Sequence, residues 1–315
     1  MLGKFFRNFK KKSDQTDFYE EKPDIISSVD ENQSTVGAEA DTKHSASPSV
    51  TDRFEALDSG EESHFSRKWS SNTLTIAFAN SKGGVGKSTL AFISCLNLAV
   101  KQPDSYIEFI DLDRQATTQD SLKRFTNDRF CLIEDPEFLL ASGGPNNARI
   151  YQHLCSDSFL KSSCKRRLVF FDTPAGTNFV EYSFLNDADY LFVPTSSSDA
   201  DLFATRKFLG QLFLKDEGFS GHSITQKLPT VLVIPNLLET RQEMMHVYQS
   251  LREFPCYLGH PIIYSRLFKR TFGGEISDYN VAELLRFTNE FGDWFADIIT
   301  NPERTQSVPK SLFQI

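Results

Sequence analysis

The stretch Asn80-Ser81-Lys82-Gly83-Gly84-Val85-Gly86-Lys87-Ser88-Thr89 decides the fold. It follows the apolar run Leu74–Ala79 and leads directly into a segment whose Leu90, Ile93, Leu96 and Leu98 keep helical spacing. A glycine-rich loop between a strand and a helix is a phosphate cradle. Glycines let backbone N–H groups turn inward and the helix start adds the positive end of its dipole. Lys87 supplies a cation, and the Ser88 hydroxyl can ligate magnesium. The loop departs from the usual G-x-x-x-x-G-K-[ST] pattern: Ser81 stands where the first glycine would be, and a second lysine, Lys82, opens it.

Outward from the loop, further strand-like runs follow at Tyr106–Ile110, Arg167–Phe171, Tyr190–Pro194, Thr230–Ile234 and Pro261–Tyr264. Segments of helical period lie between most of them. One carries Leu202, Leu209, Leu212 and Phe213 after a polar Ser198-Asp199 start, and a last helix carries Val281, Leu284, Leu285, Phe291, Trp294, Phe295, Ile298 and Ile299. Buried strands alternating with amphipathic helices predict an α/β fold, doubly wound, with a mainly parallel sheet and helices on both faces. Ligands then bind at the carboxyl ends of the strands.

Three motifs carry a family resemblance. Lys82-Gly83-Gly84-Val85-Gly86-Lys87-Ser88 matches the deviant Walker motif K-G-G-x-G-K-[ST] of the ParA and MinD group of P-loop ATPases. Phe109-Ile110-Asp111-Leu112-Asp113-Arg114-Gln115 resembles that group's D-x-D-P-Q motif, and Val169-Phe170-Phe171-Asp172-Thr173-Pro174-Ala175-Gly176 its Walker B strand ending in D-T-P. The similarity continues through Ala188–Pro194 and Val233–Asn236 and covers about residues 73–300. It implies ATP and Mg2+ as cofactors. Lys82 resembles the lysine that reaches the partner's phosphates in a nucleotide-sandwich dimer, and Lys87 the one that holds the β- and γ-phosphates. Gly83, Gly84, Val85 and Gly86 resemble the cradle, Ser88 the magnesium ligand and Thr89 the support of the α-phosphate. Asp113 resembles the residue that orients the attacking water, Asp172 the one that holds magnesium through water, and Asn236, placed just after a strand, the adenine-side asparagine. These roles match what phosphoryl transfer requires: positioning, a metal and positive charge.

The sequence departs from the pattern in two respects. Arg114 replaces the usual proline, so the loop after Asp113 is either less rigid or uses the guanidinium for a contact of its own. Only 59 residues separate Asp113 from Asp172, which favours the compact plasmid-partition and conjugation-associated members. The function implied is an ATP-dependent dimerising switch, slow and partner-stimulated. It positions or partitions a cargo, a plasmid or a protein complex, on nucleoid or membrane, with a ParB-like or adaptor protein as partner. The alternative is a P-loop metabolic enzyme or a conjugation-associated accessory ATPase on the same nucleotide site. A cluster-carrying reductase would need paired cysteines that these spacings do not offer. A polysaccharide-associated kinase would carry a tyrosine-rich tail, and residues 301–315 hold no tyrosine.

Composition accounts for the rest of the 315 residues. Residues 1–12 form a basic tip with five cations, in which Leu2, Phe5, Phe6 and Phe9 fall at i, i+3, i+4, i+7, the pattern of a helix on an anionic membrane or on a partner. Residues 13–70 carry fourteen acidic and five basic side chains, a net of −9, with no sustained apolar period, and read as a disordered tether. The ATPase domain then spans 71–300, and 301–315 is a tail. No apolar run approaches the ~20 residues of a membrane span, and the net charge of −8 argues against a surface that coats nucleic acid throughout. Local cations at Arg266, Lys269 and Arg270 nevertheless suit nonspecific DNA, as in the resembled ATP-bound dimers. Cys95, Cys131, Cys155, Cys164 and Cys256 form no C-x-x-C pair, so they read as reduced and the protein as cytoplasmic, while the resemblance implies a peripheral place on nucleoid or inner membrane face. The six histidines are scattered and suggest no metal site, and the 29 phenylalanines read as core packing.

Overall fold

A computed structural model describes Trp69 and residues 72–156, 164–213, 228–271 and 278–301. The tip at Leu2, Phe5, Phe6 and Phe9, nearly all of the tether and the tail lie outside these residues.

The apolar runs become parallel strands, joined by two short ones at β3 and β7: β1 (Thr73–Phe78), β2 (Ser105–Asp111), β3 (Phe130–Leu132), β4 (Arg166–Asp172), β5 (Tyr190–Thr195), β6 (Thr230–Leu238), β7 (Tyr257–Leu258) and β8 (Ile262–Ile263). Their order is β3-β2-β4-β1-β5-β6-β7, with β8 sharing the outer edge of β6, and every strand pairing is parallel. The helices are α1 (Lys87–Lys101), α2 (Thr117–Leu122), α3 (Asn147–Leu154), α4 (Asp199–Phe213), α5 (Arg241–Leu251), α6 (Arg266–Thr271), α7 (Asp278–Phe287) and α8 (Asn289–Thr300).

Side-chain alternation along the strands builds two cores. Ile76, Phe78, Ile107, Phe109, Leu168, Phe170, Phe192 and Ile234 pack beneath α1, α7 and α8. Their neighbours Ala77, Ile110, Val169, Phe171, Leu191, Val193 and Val233 face α3, α4 and α5. Much of the phenylalanine surplus is here: the Phe78 ring lies 5.3 Å from that of Phe192 and 6.2 Å from that of Phe170, and Phe295 of α8 closes over Phe192 at 4.8 Å.

Three expectations need correction. The run Thr230–Ile234 continues as strand to Leu238, so Asn236 lies within a strand rather than after it. Of Pro261–Tyr264 only two residues pair, because β7 takes the other part of the β6 edge. The last helix is two helices. At Thr288 (φ −98°, ψ 17°) the side chain bonds the Leu284 carbonyl and receives Asn97 Nδ2 of α1 at 3.2 Å, which turns the chain from α7 into α8.

Candidate functional site

The carboxyl ends of β1, β2, β4 and β6 converge on the glycine-rich loop. Asn80, fully buried at the end of β1, shapes its start: Nδ2 donates to the Pro194 carbonyl and to Thr205 Oγ1, both at 2.9 Å, while Oδ1 accepts from the Lys82 amide at 3.1 Å. The Gly176 amide, beyond β4, donates to the Ser81 carbonyl at 2.8 Å, so the loop is fixed from two neighbouring segments. Gly86 has φ 96°, and a Cβ there would meet Asn236 Nδ2 at 2.1 Å. Only glycine serves both demands. Asn236, buried under the loop, donates to the Val85 carbonyl at 2.8 Å and so holds the cradle from below.

Lys87, the first residue of α1, is 6% exposed, and its ammonium donates to the Lys82 carbonyl at 3.0 Å. Burial pushes its pKa below the usual lysine value, against the attraction of Asp172 and Asp113. Lys82 itself is exposed at the loop's rim, and Ser88 and Thr89 lie half-buried on the first turn of α1. Asp172 ends β4 with its side chain wholly buried. Burial, then the charge of Asp111, push its carboxyl up to about 7, while the Ser88 and Thr118 hydroxyls and the Lys87 ammonium pull the other way. Oδ2 accepts from Thr118 Oγ1 at 2.8 Å; Oδ1 has no hydrogen-bond partner. A buried carboxylate oxygen left unpaired beside a lysine and a serine suits the water shell of a divalent cation, so these residues fit Mg2+ held through Ser88 and Asp172.

Asp113 follows β2, half-buried, in a loop of local hydrogen bonds. Its amide donates to Asp111 Oδ1 and its own Oδ1 accepts from the Gln115 amide, both at 3.0 Å. The structure therefore brings Lys87, Ser88, Asp113 and Asp172 to one place, with Lys82 at its edge and Asn236 beneath it. Arg266 lies exposed on α6, and the side chains of Lys269 and Arg270 lie outside those the structure describes. Asp111, part of the D-x-D motif, joins the site beside Asp172, and Asn80 and Thr118 join it without a role assigned to them in the sequence. Thr118, in the first turn of the helix after the D-x-D motif, had a local signal; Asn80 is recognised only through partners more than a hundred residues away.

Residues 74–207 match the family of the ATPase MipZ. No curated protein matches the chain. Among solved structures, apo McdA of Cyanothece is 16% identical, covers 72% of this chain and 99% of its own, and superposes with a TM-score of 0.53. A ParA family ATPase from Chlorobium tepidum is 17% identical over 72% of this chain and 98% of its own (TM-score 0.48). The MinD cell division protein of Aquifex aeolicus is 16% identical over 71% and 94% (TM-score 0.46). At such identity the likeness to McdA speaks for a shared fold.

Proposed function

We propose that this chain, whose residues 74–207 match the family of the ATPase MipZ and whose fold is shared with McdA, is a ParA/MinD-type ATPase that works as an ATP-driven dimerising switch. The observation that carries the reading is the unpaired, buried Oδ1 of Asp172 beneath a glycine cradle that also presents Lys87 and Ser88. Bound Mg2+ supplies positive charge to the oxygens of the transferred phosphoryl group. Around it, Ser88 ligates the metal, Asp172 holds its water shell, Lys87 neutralises the β- and γ-phosphates, and Asp113 orients the attacking water. Lys82, outside the buried set, reaches the phosphates of a second copy. Exposed apolar side chains lie on the segments that bond its neighbour Ser81: Phe203 (72% exposed), next to Ala204 on α4, and Val180 (92% exposed), four residues past Gly176. Such a face is suited to association.

The dimer positions or partitions a cargo with a ParB-like or adaptor partner. Its engaged surface is nonspecific DNA through Arg266, Lys269 and Arg270, or anionic membrane through the N-terminal tip. Hydrolysis returns the switch to its unbound state. Gel filtration with ATP and Mg2+ tests the reading. Asp113→Ala binds ATP, loses turnover and accumulates as dimer, whereas Lys82→Ala binds ATP and stays monomeric; equal dimer populations in the two variants contradict it.

A further inference from the structure

Arg114 occupies the place of a proline in the resembled motif, next to the residue read as orienting water. The loop that carries it is not stiff by composition. It holds itself by three local bonds, from the Asp113 amide to Asp111 Oδ1 (3.0 Å), from the Gln115 amide to Asp113 Oδ1 (3.0 Å) and from the Ala116 amide to the Asp113 carbonyl (2.9 Å). It also contains a strained position, Ala116, at φ 48°. An Asp113 oxygen is thus engaged by its own loop, and its direction depends on how that loop sits.

The Arg114 side chain leaves this loop for a turn 27 residues on. Its Nη2 donates to the Ala141 carbonyl at 3.2 Å, and the guanidinium lies flat over Gly143, where a Cβ would stand 2.5 Å from Nη2 and 2.6 Å from Cζ. Gly143 has φ 94°, so the turn favours glycine there, and a Cβ at this position would push the exposed guanidinium aside. The turn is itself well anchored. The Leu140 amide bonds the Gly144 carbonyl and the Gly143 amide the Leu140 carbonyl, both at 2.8 Å, and the Asn146 amide bonds the Phe138 carbonyl at 2.7 Å. Beside it Arg149 of α3 pairs with Asp135 at 2.7 Å, and Asn147 Nδ2 donates at 2.9 Å to the Glu181 carbonyl, in the segment after Asp172.

We infer that Arg114 is a positioning residue: by tying the Asp113 loop to the 139–145 turn it does through a side chain what a proline ring does through the backbone. The inference rests on the reading of Asp113 above. An exposed hydrogen bond of this kind adds little to global stability. It matters through geometry, because small misplacements of a positioned group cost large factors in rate.

The test uses the full chain and two readouts. Hydrogen–deuterium exchange of the peptide spanning 111–120, measured without nucleotide, rises in Arg114→Ala while the melting temperature holds. ATP turnover falls about tenfold with ATP affinity unchanged. Arg114→Pro reverses both effects. Gly143→Ala, whose Cβ displaces the guanidinium, loosens the 111–120 peptide in the wild-type background and leaves it unchanged in Arg114→Pro. Wild-type exchange in Arg114→Ala, or failure of Arg114→Pro to restore it, overturns the inference. Asp113→Ala is run alongside. Turnover surviving there overturns the reading of Asp113 and this inference with it, whereas turnover lost there but intact in Arg114→Ala overturns this inference alone.

Discussion

Asp111 and Asp172 are register partners at the carboxyl ends of adjacent parallel strands beside the phosphate loop, Asp111 half-buried and Asp172 wholly buried. Burial raises Asp111 to about 6 against the backbone bonds from Asp113 and Gln119; burial and then the Asp111 charge raise Asp172 to about 7. Both values lie above the ordinary 3.8, so the folded chain binds these protons more tightly than the unfolded one. The sign follows: these groups cost stability as pH rises from about 4 through 7.

Asp172→Asn removes the charge and keeps the shape. In metal-free, nucleotide-free buffer its melting temperature should exceed that of the wild type, by a gap that widens as pH rises from 5 to 8. Turnover with ATP and Mg2+ should be lost, since the water shell of the metal loses its carboxylate. A gap that is constant with pH would mean that Asp172 does not titrate in this range.

Asn236 tests what holds the cradle up. Asn236→Ala leaves the buried Val85 carbonyl without its donor, at a cost of about 1–3 kcal/mol in urea unfolding. Nucleotide affinity should weaken too. If the side chain serves only as a prop beneath the loop, ATP and GTP weaken alike; if it also reads adenine, the preference for ATP over GTP shrinks. Titration with both nucleotides separates the two roles.

Away from the site, Glu108 and Arg167 form a fully buried ion pair at 2.8 Å, with His153 Nε2 at 2.8 Å from the same carboxylate oxygen. Arg167 also donates to the Leu154 carbonyl at 3.0 Å and so fixes the end of α3 to the sheet. Burial alone would raise the Glu108 carboxyl, but the hydrogen bonds from His153 and Arg167 outweigh it and hold its pKa below 4.5. Its contribution is therefore present above pH ~4.5 and lost as pH falls through the lower folded value. Glu108→Leu strands a buried guanidinium and should cost about 3–5 kcal/mol. The double variant Glu108→Leu/Arg167→Met should recover most of that loss in urea titrations.

Local signals were legible in the sequence and remote ones were not. The phosphate loop, Asp111, Asp113 and Asp172 are each carried by a strand end and its next few residues, so motif and period together place them. Phe130–Leu132 and Tyr257–Leu258 are too short to show a period and pair only because a neighbouring strand edge is open to them. The Arg114 contact joins residues 27 apart, and the bond from Asn236 to Val85 joins residues 151 apart; neither partner is written near the other. The break at Thr288 also escapes the helical pattern, since it depends on Asn97 of a different helix.

The basic segment of α6 carries the DNA reading. Charge reversal at Arg266, Lys269 and Arg270 should weaken ATP-dependent binding to nonspecific duplex without changing ATP affinity. The wild-type affinity should fall steeply with salt, the log–log slope steepening by about 0.9 for each phosphate contact. Absence of duplex binding with ATP at low salt would leave the membrane as the engaged surface.

The N-terminal tip decides that alternative. If Leu2, Phe5, Phe6 and Phe9 enter a bilayer while Lys4, Arg7, Lys10, Lys11 and Lys12 meet anionic headgroups, a single tip binds weakly, since each cation adds only about 1 kcal/mol near a charged surface. Two tips joined by the ATP dimer act bivalently, because the first contact raises the local concentration of the second. Vesicle co-sedimentation should therefore require anionic lipid and rise with ATP and Mg2+. It should vanish on deleting residues 1–12 or in Phe5→Asp/Phe6→Asp. Lys82→Ala provides the internal control: it keeps the tip but not the dimer, so its sedimentation should stay at the nucleotide-free level even with ATP. Sedimentation in Lys82→Ala that still rises with ATP would detach membrane binding from dimerisation.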